Sequence, residues 1–320
     1  MTAVPSLGEI RKAQELLATH FPVTRLLAAP ALAPPASQLY LKLELELPTG
    51  SFKPRGALCA LTFNLRKRAI AEVVASSTGN HGAAVAWAAK TLNIPATIFL
   101  PANPNPVKSK RIADLGARIV EAGGDDLAHA FQLASEYARR PGVYFLNDAT
   151  DPDLTAGPAT IGLEIMEQLP EVAAIFVPMG DTALIRGVAA GVKQLSSKVR
   201  VIGVQAELAP SYFLSWKAGH VVPTDTCDTC ADGLATRTPE AENVVAIREL
   251  VDDVVLVSEQ EMLDAIRDLY SIMGIIAEPA GVAAIAAYRK YADVAGQNVA
   301  LVTGMNITDA TRQRAGLPAS

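Results

Sequence analysis

The sequence predicts an α/β protein built of open, mostly parallel, twisted sheets flanked by helices. Three observations carry that expectation. From residue 72 to residue 302, short continuous apolar runs alternate with longer stretches of helical periodicity. Strands apolar on both faces belong to parallel sheets covered on both sides. Second, glycine-bearing loops directly follow several of those runs, where open α/β sheets bind ligands. Third, the chain has 320 residues, half of them hydrophobic and 19% charged. That is enough to bury a large core, and at roughly 100–200 residues per domain it suggests about two domains or one large unit.

Taken in order, the elements begin with Ser6-Leu-Gly-Glu9, a capping-box pattern that starts a helix running to Leu16-Leu17. The Ala/Pro-rich stretch Ala28–Ala36 reads as an exposed loop, and Gln38–Glu44 as a strand. Further strands are expected at Glu72–Ser76, Ala96–Leu100, Ala117–Val120, Val143–Phe145, Ala173–Val177, Val199–Val204, Val254–Val257 and Val299–Val302. Helices are expected at His81–Lys90, Pro106–Leu115, Leu127–Arg139, Gly162–Leu169, Leu184–Leu195, Glu259–Met273 and Pro279–Tyr291. No fixed-period repeat is present.

Composition narrows the function classes. Lys+Arg is 28 and Asp+Glu is 33, a net charge of −5. An acidic chain without a basic run is a poor ligand for nucleic acid or an anionic membrane. No apolar run approaches the roughly 18–20 residues that span a bilayer, and the N-terminus lacks the order of a signal peptide. Three cysteines make no disulfide framework and suggest a reducing compartment. A soluble, cytoplasmic protein is expected.

Three glycine-bearing loops follow strands: Thr78–Gly82, Pro178–Ala183 and Thr303–Asn306. The strongest local signal precedes them, at Pro48-Thr-Gly-Ser-Phe-Lys-Pro-Arg-Gly-Ala57. A lysine at a helix start opposes the helix dipole unless its amine is covalently committed or lies near an anion. Alone, Lys53 also reads as a surface lysine, Asn80-His81 as a helix cap, Gly180–Ala183 as a plain strand-to-helix turn, and Thr303 as a strand end.

Gly50–Ala57, with Lys42-Leu-Glu44 before it, resembles the lysine motif of the pyridoxal-phosphate-dependent serine/threonine dehydratase family, the fold-type-II (tryptophan synthase β-like) enzymes. Ser77-Thr-Gly-Asn-His81 resembles that family's Ser-x-Gly-Asn-His loop, and Leu115–Val120 its Gly-Ala-x-Val strand entry. Ala156-Gly157, Thr160-Ile-Gly162 and Glu164 resemble the helix after its Ala-Gly-Gln-Gly-Thr turn. Ala231-Asp-Gly233 and Glu278-Pro-Ala-Gly281 resemble two further cleft segments, so the match is collinear from about Leu39 to Asn306.

The resemblance implies pyridoxal 5'-phosphate as cofactor, attached to the catalytic Lys53 through its amine and contacted by Phe52, Asn80, Gly233 and Glu278. Ser77, Thr78, Gly79, Asn80 and His81 would hold the substrate carboxylate, which suits a small-residue turn before a helix. Gly180, Asp181, Thr182 and Ala183 would cradle the phosphate. Only the first of the family's usual glycines is kept there, and Asp181 is expected to face outward as a cap, because a carboxylate repels phosphate. Thr303 would offer the pyridine nitrogen a neutral hydroxyl, which favours expulsion of a β-substituent over transamination. The implied activity is α,β-elimination from a β-hydroxy-α-amino acid, L-threonine or L-serine, giving a 2-oxo acid and ammonia. Alternatives are racemisation, for which Thr78 stands at the second-base position, a threonine-synthase-like replacement, and a non-catalytic binding protein.

Departures from the family pattern shape further expectations. Pro158-Ala159 replaces Gln-Gly in the substrate pocket, Leu45 an Asn, and Met305 a small residue. This apolar drift predicts good turnover of a bulkier substrate such as a 3-phenylserine. Gln205 and Ser211 stand where relatives with a divalent cation place carboxylates, and Cys227-x-x-Cys230 lacks partners for zinc, so no metal is expected. The short segment after Asn306 predicts no appended feedback-control domain. The resemblance implies a small domain at 71–147 that closes on substrate, set into a large cofactor-binding domain of 1–70 and 148–320, with the cofactor in the cleft between them. The expected partners are a small amino-acid substrate and a second copy of the chain, with neither nucleic acid nor membrane.

Overall fold

The computed structural model describes residues 4–34, 37–77, 79–102, 106–123, 127–291 and 295–318. The chain opens with α1 (Leu7–Ala18), whose capping box forms as read: the Ser6 hydroxyl accepts from the Glu9 amide, and the Glu9 carboxylate accepts from the Ser6 amide. Then come β1 (Leu26–Ala28), β2 (Gln38–Leu43) and α2 (Lys53–Lys67). Four βα pairs follow: β3 (Glu72–Ser76) and α3 (Asn80–Thr91), β4 (Ala96–Leu100) and α4 (Pro106–Asp114), β5 (Arg118–Glu121) and α5 (Leu127–Tyr137), β6 (Val143–Phe145) and α6 (Ala156–Gln168). The remainder is β7 (Val172–Pro178), α7 (Ala183–Leu195), β8 (Arg200–Ala206), α8 (Ser211–Ala218), α9 (Ala241–Leu250), β9 (Asp253–Val257), α10 (Glu259–Met273), α11 (Pro279–Lys290), β10 (Gln297–Val302) and α12 (Asp309–Arg314).

Two sheets result. One has four strands in the order β5-β4-β3-β6, all parallel and drawn from one continuous stretch of chain. The other has six, in the order β1-β2-β10-β7-β8-β9, with strands from before and after that stretch. Only the short edge strand β1 runs antiparallel. Parallel neighbours must be covered on both faces, which is why Leu301, Val302, Val201 and Ile202 are consecutive apolar residues and all fully buried. Ala28–Ala36 departs from the expected exposed loop: Pro30–Leu32 forms a 3₁₀ turn, and Ala29 and Leu32 are buried against the larger core.

α2 is the element that carries the site. The backbone turns into it through two left-handed residues, Thr49 (φ 71°) and Gly50 (φ 63°). Its first turn is anchored by a buried ion cluster. The Arg55 guanidinium donates to Glu44 (2.8 and 3.0 Å), to Glu164 (2.6 and 2.9 Å) and to Thr160 (2.8 Å). Lys42 donates to the same Glu164 at 2.6 Å. The two basic and two acidic side chains are buried, and each is paired, as buried charges must be. Helix α6 crosses close enough that a Cβ on Gly157 would stand 2.3 Å from the Arg55 carbonyl oxygen. α1, α2, β3 and α3 share one apolar core, so the four-stranded sheet is packed against helices that precede it in the chain.

Candidate active site

Four functional loops leave the carboxyl ends of parallel strands: β2 leads to Lys53, β3 to Asn80, β7 to Gly180–Thr182, and β10 to Thr303–Asn306. They meet in a cleft of about 400 Å³, continued by a narrow slot of about 50 Å³. Lys53, Asn80, Asp148, Asp181 and Glu278 line both.

Lys53 is the first residue of α2. The Phe52 amide donates to the Thr303 carbonyl at 3.0 Å, which ties the lysine's turn to the end of β10. The Lys53 ammonium donates to Asp148 Oδ2 at 2.6 Å, supplying the anion that a lysine at a helix start requires. Asp148 Oδ2 also lies 3.6 Å from His81 Nδ1, while His81 Nε2 is 2.9 Å from the Leu146 carbonyl oxygen. Burial pushes the Asp148 carboxyl up, but the neighbouring His81 ring and the Lys53 ammonium that donates to it outweigh burial and hold the group below the usual carboxylate range. Burial lowers the pKa of His81, so its imidazole is neutral at pH 7, with Nε2–H donating to Leu146.

Asn80 opens α3, and its amide donates to Glu278 Oε1 at 2.7 Å. The Asn306 amide donates to Asn80 Oδ1 and, at 3.0 Å, to the Thr49 carbonyl; Asn306 in turn accepts from Arg111 on α4. A chain of side chains therefore spans the cleft from α3 and α4 to α11 and the end of β10. Ser77, Gly79, Asn80 and His81 line the wide part, and the Gly79 amide donates to Ser77 Oγ at 3.2 Å. The Ser76 hydroxyl, buried at the same strand end, has no protein partner among the described residues. Thr78 lies outside the described residues.

At the far end, Gly180 faces Gly233 so closely that a Cβ would stand 2.2 Å from the Gly233 carbonyl oxygen. Thr182 takes a left-handed conformation (φ 68°) as N-cap of α7, and its buried Oγ1 accepts from Arg186 Nε at 3.1 Å. That leaves the hydroxyl proton free to point into the slot. The first amides of α7 have no intrahelical acceptor and present the positive end of its dipole.

The expected orientation of Asp181 is overturned. Its side chain, although exposed to solvent, does not cap α7. It lines both parts of the cleft, and Oδ1 accepts from Thr236 Oγ1 at 3.0 Å. Crowding by the cleft walls, followed by the nearby Asp148 charge, pushes its carboxyl up to about 6, while the side chain stays open to solvent. Below that pH the carboxyl is neutral and can donate to an oxyanion, and above it the charge opposes one. Thr303, buried at the opposite side of the slot, has its hydroxyl 3.4 Å from the Ala280 carbonyl.

The donor set fits pyridoxal phosphate: a lysine amine at the junction, a helix N-terminus with a threonine hydroxyl at one end, and neutral Asn80 and Thr303 between. Phe52, Gly180, Ala183, Gly233 and Glu278 complete the slot lining. A family model described as pyridoxal-phosphate dependent enzyme matches residues 17–304. The chain belongs to that family. An L-threonine ammonia-lyase of Thermotoga maritima is 38% identical over 307 residues, covering 94% of this chain and 76% of the relative. Among solved structures, maize serine racemase superposes with a TM-score of 0.91 at 27% identity, over 98% of this chain and 97% of that one. The processed form of threonine deaminase isoform 2 from Solanum lycopersicum superposes at 0.87 and 30% identity, over 97% and 93%. Members of this family use pyridoxal phosphate, so the cofactor is established with the family.

Three positions read as shaping the substrate pocket do not reach it. Pro158 is buried inside α6 against α7, where its Cβ would meet a Cβ on Gly187 at 2.8 Å. Leu45 is buried in the core of the six-stranded sheet. Met305 points outward over Gly50 and is 43% exposed. None lines the cleft, so the expectation of a more apolar pocket has no footing. Conversely, Asp148, Arg111 and Thr236 line it unannounced. Asp148 had one available signal: it falls just beyond a parallel strand's carboxyl end. Arg111, in mid-helix, had none.

Proposed function

We propose that this enzyme is an ammonia-lyase that converts L-threonine and L-serine into the corresponding 2-oxo acids and ammonia. The observation that carries the reading is Lys53, whose amine stands where slot and cleft meet, 2.6 Å from Asp148, in a chain 38% identical to an L-threonine ammonia-lyase. Pyridoxal phosphate, when bound, supplies an electrophile for the substrate amine and a sink for the electrons of the α-carbon. Lys53 holds it, and its freed amine takes the α-proton. Asp148 accepts from Lys53 Nζ and keeps that amine in place. The amides of the first α7 turn with the Thr182 hydroxyl bind the phosphate, and the loop before α3 binds the substrate carboxylate. Thr303 gives the ring nitrogen a neutral neighbour. Loss of the α-proton and the β-hydroxyl, followed by return of one water at the α-carbon, balances as threonine to 2-oxobutanoate plus ammonia.

The four-stranded sheet supports a division into a closing body at 71–147 and a cofactor-binding body of 1–70 with 148–320. Among the described residues no helix is long and apolar enough to cross a membrane. That, the net charge of −5 and the three cysteines support placement in the cytoplasm. The resemblance supports a homodimer, which molar mass in solution tests.

The deciding experiment incubates purified holoenzyme with each amino acid and follows oxo acid, ammonia and chirality together. Equimolar oxo acid and ammonia are expected. Loss of chirality without ammonia would replace this reading by racemisation. Lys53→Ala protein is expected to lose the borohydride-reducible cofactor adduct; an adduct that persists on another lysine refutes the assignment.

A further inference from the structure

Resting on that reading, we infer that Arg111 is a specificity residue for a second, side-chain carboxylate, and that the preferred substrate class is acidic β-hydroxy-α-amino acids, of which 3-hydroxyaspartate is the smallest. The cleft already provides for two anions without it. The first turn of α7 serves the phosphate, and the loop before α3 serves the α-carboxylate. Arg111 belongs to neither. It lies on α4, lines the wide cleft, and is absent from the slot lining.

Its surroundings are those of an anion receptor. The side chain is half-buried, and Asn306 is its one hydrogen-bond partner among the described residues. No carboxylate there comes within ion-pair distance. Glu278 is the acid whose charge acts on it, and the Glu278 Oε1 oxygen accepts from Asn80 instead. A guanidinium with five N–H donors, partly removed from water and met by one neutral amide, is stabilised by a carboxylate that accepts from its remaining donors. Its orientation is preset, because Asn306 is itself held by Thr49 and Asn80. Two hydrogen bonds thus separate Arg111 from Asn80, which lines the cofactor slot.

A second cation supports the assignment. Arg314 of α12 lines the same cleft from its exposed rim, where its positive charge draws an acidic ligand inward. The cleft's own acids are engaged elsewhere. Asp148 is paired with Lys53, Asp181 stands at the slot with Thr236, and Asp232 is exposed. Elimination from 3-hydroxyaspartate balances as for threonine. The α-proton goes to Lys53, the β-hydroxyl leaves as water with one proton, and hydrolysis returns that water to give oxaloacetate and ammonia.

The test separates binding from turnover. L-Aspartate and L-alanine lack a β-hydroxyl, so each is titrated into holoenzyme and followed by the change in cofactor absorbance. Wild type is expected to bind aspartate at least tenfold more tightly than alanine. Arg111→Gln should abolish that preference, Arg111→Lys should keep part of it, and Arg314→Gln should reduce it two- to threefold. In turnover, Arg111→Gln should lower kcat/KM for 3-hydroxyaspartate at least tenfold while changing threonine less than threefold. Equal binding of aspartate and alanine by wild type overturns the inference, whether or not any variant folds. So does an Arg111→Gln enzyme that loses both substrates equally, the signature of an α-carboxylate ligand or a purely structural residue. Absence of oxo acid from every substrate would instead refute the ammonia-lyase reading, and the aspartate preference would still be measurable.

Discussion

Asp181 shows how one side chain couples the site to pH. Its carboxyl is pushed up to about 6, so below that pH it is neutral and able to donate, and above it is an anion beside the proposed phosphate cradle. The charged groups acting with it are Asp148, Lys53, Glu240 and Arg186, and the Tyr212 phenol shares the same field. Cofactor affinity should therefore fall as pH rises through about 6, in the range where a phosphate ester takes its second charge. Asp181→Asn removes the residue's share of that fall. The variant should bind pyridoxal phosphate at least threefold more tightly than wild type at pH 8 and no more tightly at pH 5, as read by equilibrium titration of apoprotein. Parallel pH curves for the two proteins would show that Asp181 does not neighbour the phosphate.

At the scale of the element, α2 places Lys53, and Arg55 two residues on locks α2 to Glu44, just past β2, and to α6. Removing one partner of a buried ion cluster leaves uncompensated charge, at a cost of about 3–5 kcal/mol. Arg55→Met should lower apoprotein stability by roughly that amount, because it strands Glu44 without its cation and leaves Glu164 with Lys42 alone. The measurement is the urea midpoint of wild type and variant, and an unchanged midpoint would mean the cluster is not holding the helix. The double variant Arg55→Met with Glu44→Gln should recover part of the loss. α2 was also the long helix that periodicity did not disclose. Pro54 and Gly56 interrupt its start, and nearly every residue from Pro54 to Thr62 is buried, so it has no polar stripe to alternate with. The short α8 and α12 escaped for a related reason: each offers too few turns for a period to show.

Across the whole molecule, the side chains that span the cleft tie its two sides together. Asn80 to Glu278 and Arg111 to Asn306 join the four-stranded side to the six-stranded one. An amino acid bound between the loop before α3 and Lys53 touches both sides, so its binding should draw 71–147 toward the rest. Crystal structures of holoenzyme with and without L-alanine should differ by a rigid rotation of that segment. Structures that superpose over both sheets would exclude closure.

The sequence by itself determined the parallel α/β architecture, because strands buried on both faces must be written as unbroken apolar runs. It also singled out Lys53, Asn80, Gly180–Ala183 and Thr303 as one candidate site, through the resemblance of their motifs to a known family, and the structure brings them to one slot. Where a mid-helix or loop side chain points was decided only in three dimensions. Pro158, Leu45 and Met305 turned away from the cleft, Asp181 turned into it, and Asp148 and Arg111 met partners 95 and 195 residues distant. Helix rotation and packing between distant segments set those directions, and neither has a local signature. Strand positions and the succession of loops along the chain are written residue by residue, whereas the order of strands in a sheet and the wall a side chain faces depend on how whole elements lie against one another.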